Sequence, residues 1–133
     1  MAGGEEPAIW LVDGFNVLHA GLLRGRDRGR WWQGSERRRL VELAERFDDP
    51  AAQVWVVFDG GHPEAAADEG GTRVEVVFAP SADDWLLARV RQTETPARAV
   101  VVTRDRQLAD RARHRGARIA TPREFLARCG TPT

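Results

Sequence analysis

The chain has 133 residues, 42% of them apolar and 30% charged, a size and composition typical of one globular domain with a buried core. Its 20 basic and 20 acidic residues cancel, so the net charge gives no sign of a polyanionic partner. No apolar stretch approaches the ~20 residues of a membrane span, no segment resembles a signal peptide, and the single cysteine excludes an internal disulfide framework. We therefore expect a cytoplasmic protein without membrane contact.

Short apolar segments alternate with helical patterns along the chain. After a loose arm at residues 1–7, the predicted strands are residues 8–12, 53–58, 74–78, 99–103 and 118–120. The predicted helices are residues 16–23, 35–47, 82–95, 106–115 and a last one that opens with a capping box at 121–124. This alternation predicts an α/β fold whose mainly parallel, five-stranded sheet has the order 3-2-1-4-5 and helices on both faces. We assign residues 8–129 to one domain and 130–133 to a tail.

Aspartates stand where these strands end. Asp13, Asp59 and Asp105 each follow a strand, and Asp83 and Asp84 begin the helix after the third strand. Because open parallel sheets bind ligands at the carboxyl ends of their strands, we expect these side chains to converge. The acids also have structural interpretations by themselves: Asp83 and Asp105 as helix N-caps, Asp84 in a capping box with Ser81, and Asp59 in a turn. As a set they repel, by ~4 kcal/mol for a pair ~4 Å apart at an effective dielectric of about 20, and so call for protons, arginines or a cation.

The predicted donors are all oxygens, which favours Mg²⁺ or Mn²⁺ over zinc. The three histidines (His19, His62 and His114) and Cys129 lack the spacing of a zinc site, so we interpret them as structural or surface residues. A divalent ion can polarise a phosphoryl oxygen and activate water without a serine, cysteine or lysine nucleophile.

Absent motifs exclude several other classes. The chain contains no lysine, which excludes a P-loop NTPase, and it has no G-x-S-x-G motif. Receiver domains and haloacid-dehalogenase-type phosphatases also end strands in aspartate. The former rely on a lysine, and the latter need a second aspartate where this chain has Phe15.

Four segments resemble, in order and spacing, the YacP-like branch of the NYN domains, which belong to the PIN-like nucleases. They are residues 11–17 (LVDGFNV), 56–59 (VVFD), 81–85 (SADDW) and 101–105 (VVTRD). The resemblance covers about residues 8–128. It implies a PIN-like fold, divalent-metal-dependent cleavage of RNA, and a bacterial setting whose candidate substrates are single-stranded or ribosome-associated RNA.

The resemblance also implies roles for single residues. Asp13, Asp83 and Asp105 become metal ligands, and Asn16 orients the first carboxylate or a phosphate oxygen. Asp59 and Asp84 become outer acids of the metal site.

Four positions depart from the family pattern. Phe15 replaces the usual Tyr, Pro80 stands where Glu is frequent, and Asp84 replaces Glu. Arg104 occupies a position that is usually small and polar, where it either adds a phosphate contact or pairs with Asp105 and blocks the metal site.

All 20 basic residues are arginine, as arginine-rich coding in a GC-rich genome would also give, but their distribution is uneven. Residues 24–39 hold seven arginines and two acids, a local excess of +5. The predicted RNA contacts of this loop are Arg24, Arg26, Arg28, Arg30, Trp31 and Trp32. Arginines neutralise phosphates and tryptophans stack on unpaired bases, although a solvated loop with one tryptophan in the core fits equally well. We add Arg104 and Arg106 as RNA contacts and interpret Trp10, Trp55 and Trp85 as core.

Two functional hypotheses remain. The first is a metal-dependent endoribonuclease of the YacP-like NYN type. The second is a catalytically weak NYN domain that binds RNA or a ribosomal partner. The proximity of Asp13, Asp83 and Asp105 to one another distinguishes the two hypotheses.

Overall fold

The computed structural model describes residues 9–22, 34–60 and 73–130. Several predictions fall outside these ranges. They concern the N-terminal arm, His62, the C-terminal residues 131–133 and the aromatic arginine loop with Arg24, Arg26, Arg28, Arg30, Trp31 and Trp32.

The strands of the described residues form one parallel sheet in the order β3-β2-β1-β4-β5. Their bounds are Ile9–Asp13 (β1), Gln53–Asp59 (β2), Val74–Ala79 (β3), Ala99–Val102 (β4) and Arg118–Ala120 (β5). β1 and β4 lie in the interior of the sheet and are buried along their whole length, as expected for apolar runs covered on both faces. The predicted fold class and strand order are thereby confirmed.

The helices cover both faces of this sheet. They are Gly14–Val17 (α1), which continues into a π turn at Leu18–Leu22, then Gly34–Ala44 (α2), Ala82–Gln92 (α3), Arg106–His114 (α4) and Pro122–Arg128 (α5), with a 3-10 turn at Pro96–Arg98. α1, α2 and α5 pack with Trp10 and Val12, whereas α3 and α4 pack with Ile9 and Leu11. Alternate side chains of β1 therefore enter two separate cores. In the parts of the chain that the structure describes, no helix has the length and apolar character of a membrane span.

Three predicted helix boundaries differ from the structure by two or three residues. The first helix begins at Gly14 instead of residue 16, directly after β1. α2 ends at Ala44 instead of residue 47. α3 ends at Gln92 instead of residue 95, since Thr93 is extended and the residue before Pro96 is disfavoured in a helix.

The tryptophan prediction holds for Trp10, which is 5% exposed. Trp55 and Trp85 are only half-buried, at the margin of the second core, with their ring centroids 5.6 Å apart.

Candidate active site

An open cleft of about 400 Å³ lies where β1 and β2 end and where α3 and α4 begin. Four of the five predicted acids line it, together with an aromatic ring, an amide, an imidazole and a hydroxyl. The lining residues are Asp13, Phe15, Asn16, His19, Asp59, Ser81, Asp83 and Asp105. Asp84 is exposed in the first turn of α3 and does not line the cleft.

The turn from β1 into α1 brings the floor of the cleft against β2. A Cβ atom on Gly14 would lie 2.4 Å from the ring of Phe58 and 3.0 Å from the Val57 carbonyl oxygen. Glycine is therefore required after Asp13, because any side chain would force α1 away from β2. The Asp-Gly pair of the sequence motif thus has a packing cause as well as a chemical one.

Asp13 lies deepest in the site, with 8% of its surface exposed. Thr103 donates its hydroxyl to Asp13 Oδ2 at 3.1 Å, and the backbone N–H of Asn16 also bonds this carboxylate. Burial raises the pKa of Asp13 to about 7, and the charges of Asp83 and Asp59 act in the same direction. The two hydrogen bonds lower the pKa but do not offset the burial.

Thr103 links two of the acids. It is 2% exposed, and its Oγ1 accepts the backbone N–H of Asp105 at 3.1 Å while it donates to Asp13. In the sequence, Thr103 is marked only as the end of a predicted strand. A buried hydroxyl directly before the site loop was the signal that could have identified it.

Asp105 combines capping with a place in the cleft. Its Oδ1 accepts the backbone N–H groups of Gln107 at 2.9 Å and Leu108 at 3.2 Å, which confirms the N-cap interpretation. Both bonds use the same oxygen. The carboxylate is therefore fixed in orientation by α4 at the edge of the site.

Asp83 belongs to the first turn of α3. Its interpretation as an N-cap was wrong, since Ser81 is the cap and accepts the N–H of Asp84 at 3.2 Å. Burial raises the pKa of Asp83, and the charges of Asp105 and Asp59 add to this effect. Arg111 of α4 is close enough to lower the pKa, which places an arginine that the sequence analysis did not select beside the site.

Asn16 joins α1 to the loop after β4. Its side-chain Oδ1 accepts the backbone N–H of Arg104 at 2.7 Å, so its contact with the Asp13 carboxylate is made by its backbone and not by its amide. The Arg104 side chain is exposed and, within the described residues, forms no ion pair with Asp105. Arg106 is exposed at the first position of α4.

The histidines and the cysteine divide between the cleft and the rest of the fold. His19 is exposed on the π turn and lines the cleft, a position that its spacing in the sequence did not indicate. His114 is exposed on α4, and Cys129 is fully buried, where desolvation raises the pKa of its thiol to about 12. The structural or surface interpretation therefore fits His114 and Cys129 but is incomplete for His19.

The acids do not form a closed metal cage. Across residues 9–22, 34–60 and 73–130, no three His, Cys, Asp or Glu side chains are grouped closely enough to hold one ion. The carboxylates of the cleft nevertheless offer oxygen donors, and the charges of Asp83 and Asp59, which add to the effect of burial on the pKa of Asp13, are charges that a cation would neutralise. Mg²⁺ usually keeps several waters and uses one or two carboxylates together with substrate phosphates. The donors thus fit a partly hydrated divalent ion.

Known proteins share the fold of this chain, and a family model matches its sequence. Two crystal structures of Rae1 (YacP) from Bacillus subtilis share the fold at 24% identity and cover 92% of this chain. A tryptophan-to-leucine variant gives a TM-score of 0.70 over 74% of that chain, and the second structure gives 0.69 over 72%. No curated protein matches the chain. The model of the YacP-like NYN domain matches residues 10–131, nearly all of the sequence, and the chain therefore belongs to this family of PIN-like, nuclease-type domains.

Proposed function

We propose that the chain is a divalent-metal-dependent endoribonuclease that hydrolyses RNA phosphodiesters in the carboxylate cleft. The observation that carries the proposal is the burial of Asp13 among other acids, at the end of a central strand. A buried carboxylate whose two hydrogen bonds do not offset its desolvation is unfavourable for the fold when ionised, so its presence calls for a functional reason. Because the chain belongs to a nuclease-type family, hydrolysis of phosphodiesters is the reaction that fits this site best.

Asp13, Asp83 and Asp105 would hold Mg²⁺ or Mn²⁺ between the ends of β1, α3 and α4. An ion bound there would polarise a phosphoryl oxygen and promote attack by water. Thr103 fixes the rotamer of Asp13, and the α4 backbone fixes that of Asp105. Preorganised carboxylates lower the cost of assembling the site around an ion and a phosphate. The outer-acid role of Asp84 stays a prediction.

The open cleft suits an extended, single-stranded RNA, including one presented on a ribosome. His19 lines the cleft and can donate a hydrogen bond to a phosphate. Arg104 and Arg106 are exposed on either side of Asp105 in the sequence, and Arg111 lies close to Asp83. The aromatic arginine loop would supply further phosphate contacts and stacking surfaces. A bacterial cytoplasm, as the resemblance and the single cysteine suggest, is the matching setting.

A cleavage assay with a circular and a linear form of one unstructured RNA tests the proposal. The parent should cut both forms with Mn²⁺ or Mg²⁺ and neither with EDTA, since opening a circle requires an internal cut. Asp13→Asn should abolish both reactions while the protein remains folded by circular dichroism. Cleavage in EDTA, or full cleavage by Asp13→Asn, contradicts the proposed site.

The second candidate is a catalytically weak domain that binds RNA or a ribosomal partner. The absence of three grouped ligands within the described residues favours it. Its signature would be RNA binding that neither Mn²⁺ nor Asp13→Asn alters, without cleavage of any RNA tested. Electron paramagnetic resonance of Mn²⁺ separates the two candidates, because only the first requires the ion to bind the cleft.

A further inference from the structure

Asp59 stands where the sheet meets the helix that carries Asp83. It ends β2, and its Oδ1 accepts the backbone N–H of Ala82 at 2.7 Å, across 23 residues of sequence. Ala82 is the first residue of α3, and Asp83 is the second. One hydrogen bond therefore fixes the backbone beside Asp83 relative to β2.

This bond differs from the other contacts at the start of α3. The Ser81 hydroxyl accepts the N–H of Asp84, and the Ser81 carbonyl accepts the N–H of Trp85, so both bonds stay within the first turn of the helix. Asp59 instead ties that turn to the sheet. β2 also pairs with β1, with Val57 opposite Asp13. The Asp59 bond therefore links the helix that carries Asp83 to the strand that lies beside Asp13.

We propose that Asp59 is a positioning residue, which acts on the metal site through the Ala82 amide and Asp83 and not as a ligand. The inference rests on the proposed function, because it concerns the site assigned there. Oδ1 of Asp59 is held by the first N–H of α3, and this N–H would lose its partner if the carboxylate turned both of its oxygens toward an ion. The dipole of α3 also favours a carboxylate at the amino end of the helix, which stabilises Asp59 in this hydrogen-bonded position.

Two substitutions separate positioning from ligation. Asp59→Asn keeps an oxygen that can accept the Ala82 N–H but removes the charge that a ligand needs. Asp59→Ala removes both. Mn²⁺ affinity by electron paramagnetic resonance and kcat/KM for RNA cleavage should fall only a few-fold in the Asn variant, which loses the charge that acts on Asp13 and Asp83 but keeps the hydrogen bond. Both should fall about 10–100-fold for the Ala variant, the range typical of groups that orient metal ligands.

Hydrogen exchange at the Ala82 amide gives a readout that needs neither metal nor RNA. The amide should stay protected in the Asn variant and exchange faster in the Ala variant. Asp49 supplies the control, since its Oδ1 accepts the N–H of Ala51 at 3.0 Å in the loop before β2, at the other end of the sheet. Asp49→Asn and Asp49→Ala should leave Mn²⁺ affinity unchanged.

An equal loss of Mn²⁺ affinity in the two Asp59 variants would overturn the inference, because the charge would then act directly. Parent-like values for Asp59→Ala would also overturn it, and would leave the ribonuclease function standing if the parent cleaves RNA. The parent could also bind Mn²⁺ and cleave no RNA, while the two Asp59 variants differ in Mn²⁺ affinity as expected. That result supports the positioning role of Asp59 and overturns the ribonuclease function. A parent that binds no Mn²⁺ overturns both.

Discussion

Thr103 donates its hydroxyl to Asp13 Oδ2 over 3.1 Å, although 90 residues separate the two in sequence. Both are buried, and the same hydroxyl accepts the N–H of Asp105. A single oxygen thus connects the end of β1 with the cap of α4. This relationship makes Thr103 a sensitive position for both stability and activity.

Thr103→Val keeps nearly the same side-chain shape but removes the hydroxyl that pairs with the Asp13 carboxylate and the Asp105 N–H. It should therefore lower the free energy of unfolding by about 1–3 kcal/mol. Loss of the hydroxyl bond should also raise the pKa of Asp13 further, so the acidic limb of the cleavage profile should move to higher pH. Urea unfolding and kcat/KM between pH 5 and 9 measure the two effects. Thr103→Ser keeps the hydroxyl and is the control. A parent-like Val variant in both measurements would show that the bond has no role.

Asp13 should make stability depend on pH. Its pKa rises from 3.8 to about 7 on folding, so between these values the native chain holds a proton that the unfolded chain releases. The contribution to stability is therefore full below about pH 4 and is lost as the pH rises to about 7, at about 1.4 kcal/mol per pH unit. Asp13→Asn removes this loss. In EDTA, the variant should be close to the parent at pH 4.5 and clearly more stable at pH 8, by urea unfolding.

The difference between variant and parent is the quantity to compare, since other acids titrate in both proteins. A difference that stays constant from pH 4.5 to pH 8 would mean that Asp13 is ionised in the folded protein throughout. Mn²⁺ should reverse the order at pH 8, because an ion that binds only the folded parent stabilises it by linkage.

The aromatic arginine loop should contribute phosphate contacts. Replacing Arg24, Arg26, Arg28 and Arg30 together by Gln should weaken RNA binding and flatten its salt dependence, by up to ~0.7 log unit per lost contact on a single strand. Fluorescence anisotropy with a labelled RNA in EDTA measures binding without cleavage. The control replaces Arg46, Arg91 and Arg123, which are exposed on other segments. An unchanged salt slope in the loop variant would show that the loop does not contact the RNA backbone.

Arg73 should matter for stability alone. Its guanidinium donates to the carbonyl oxygens of Phe47 (2.7 Å), Asp49 and Ala52 (3.5 Å), in the connection between α2 and β2. Arg73→Met keeps the apolar stem but removes these bonds and leaves the Asp49 carbonyl with only the N–H of Ala52, which should cost about 1–3 kcal/mol in urea unfolding. Cleavage at a temperature where the variant is folded should be unchanged, because Arg73 lies at the amino end of β3. Arg46→Met, at an exposed position, should leave both quantities near those of the parent.

The sequence by itself determined the local features of this protein. Apolar runs and helical periodicity predicted the strands and the helices, because burial of a strand or of a helix face leaves a local pattern. The alternation of strands with helices then predicted the parallel sheet and its strand order. The position of aspartates at strand ends predicted that their side chains would converge, because parallel strands present their carboxyl ends at one edge of the sheet. The capping box at Thr121 and Glu124 was also readable, as its hydrogen bonds span only three residues.

Only the tertiary structure decided which groups meet inside the cleft. The bond of Thr103 with Asp13 depends on β4 lying beside β1, and that of Asp59 with Ala82 depends on the angle at which α3 leaves β3. His19 lies in the π turn that continues α1 and lines the site, a place that the sequence pattern around it does not indicate. Such contacts join residues far apart in sequence, and their geometry follows from packing. No pattern in a short stretch of chain records it.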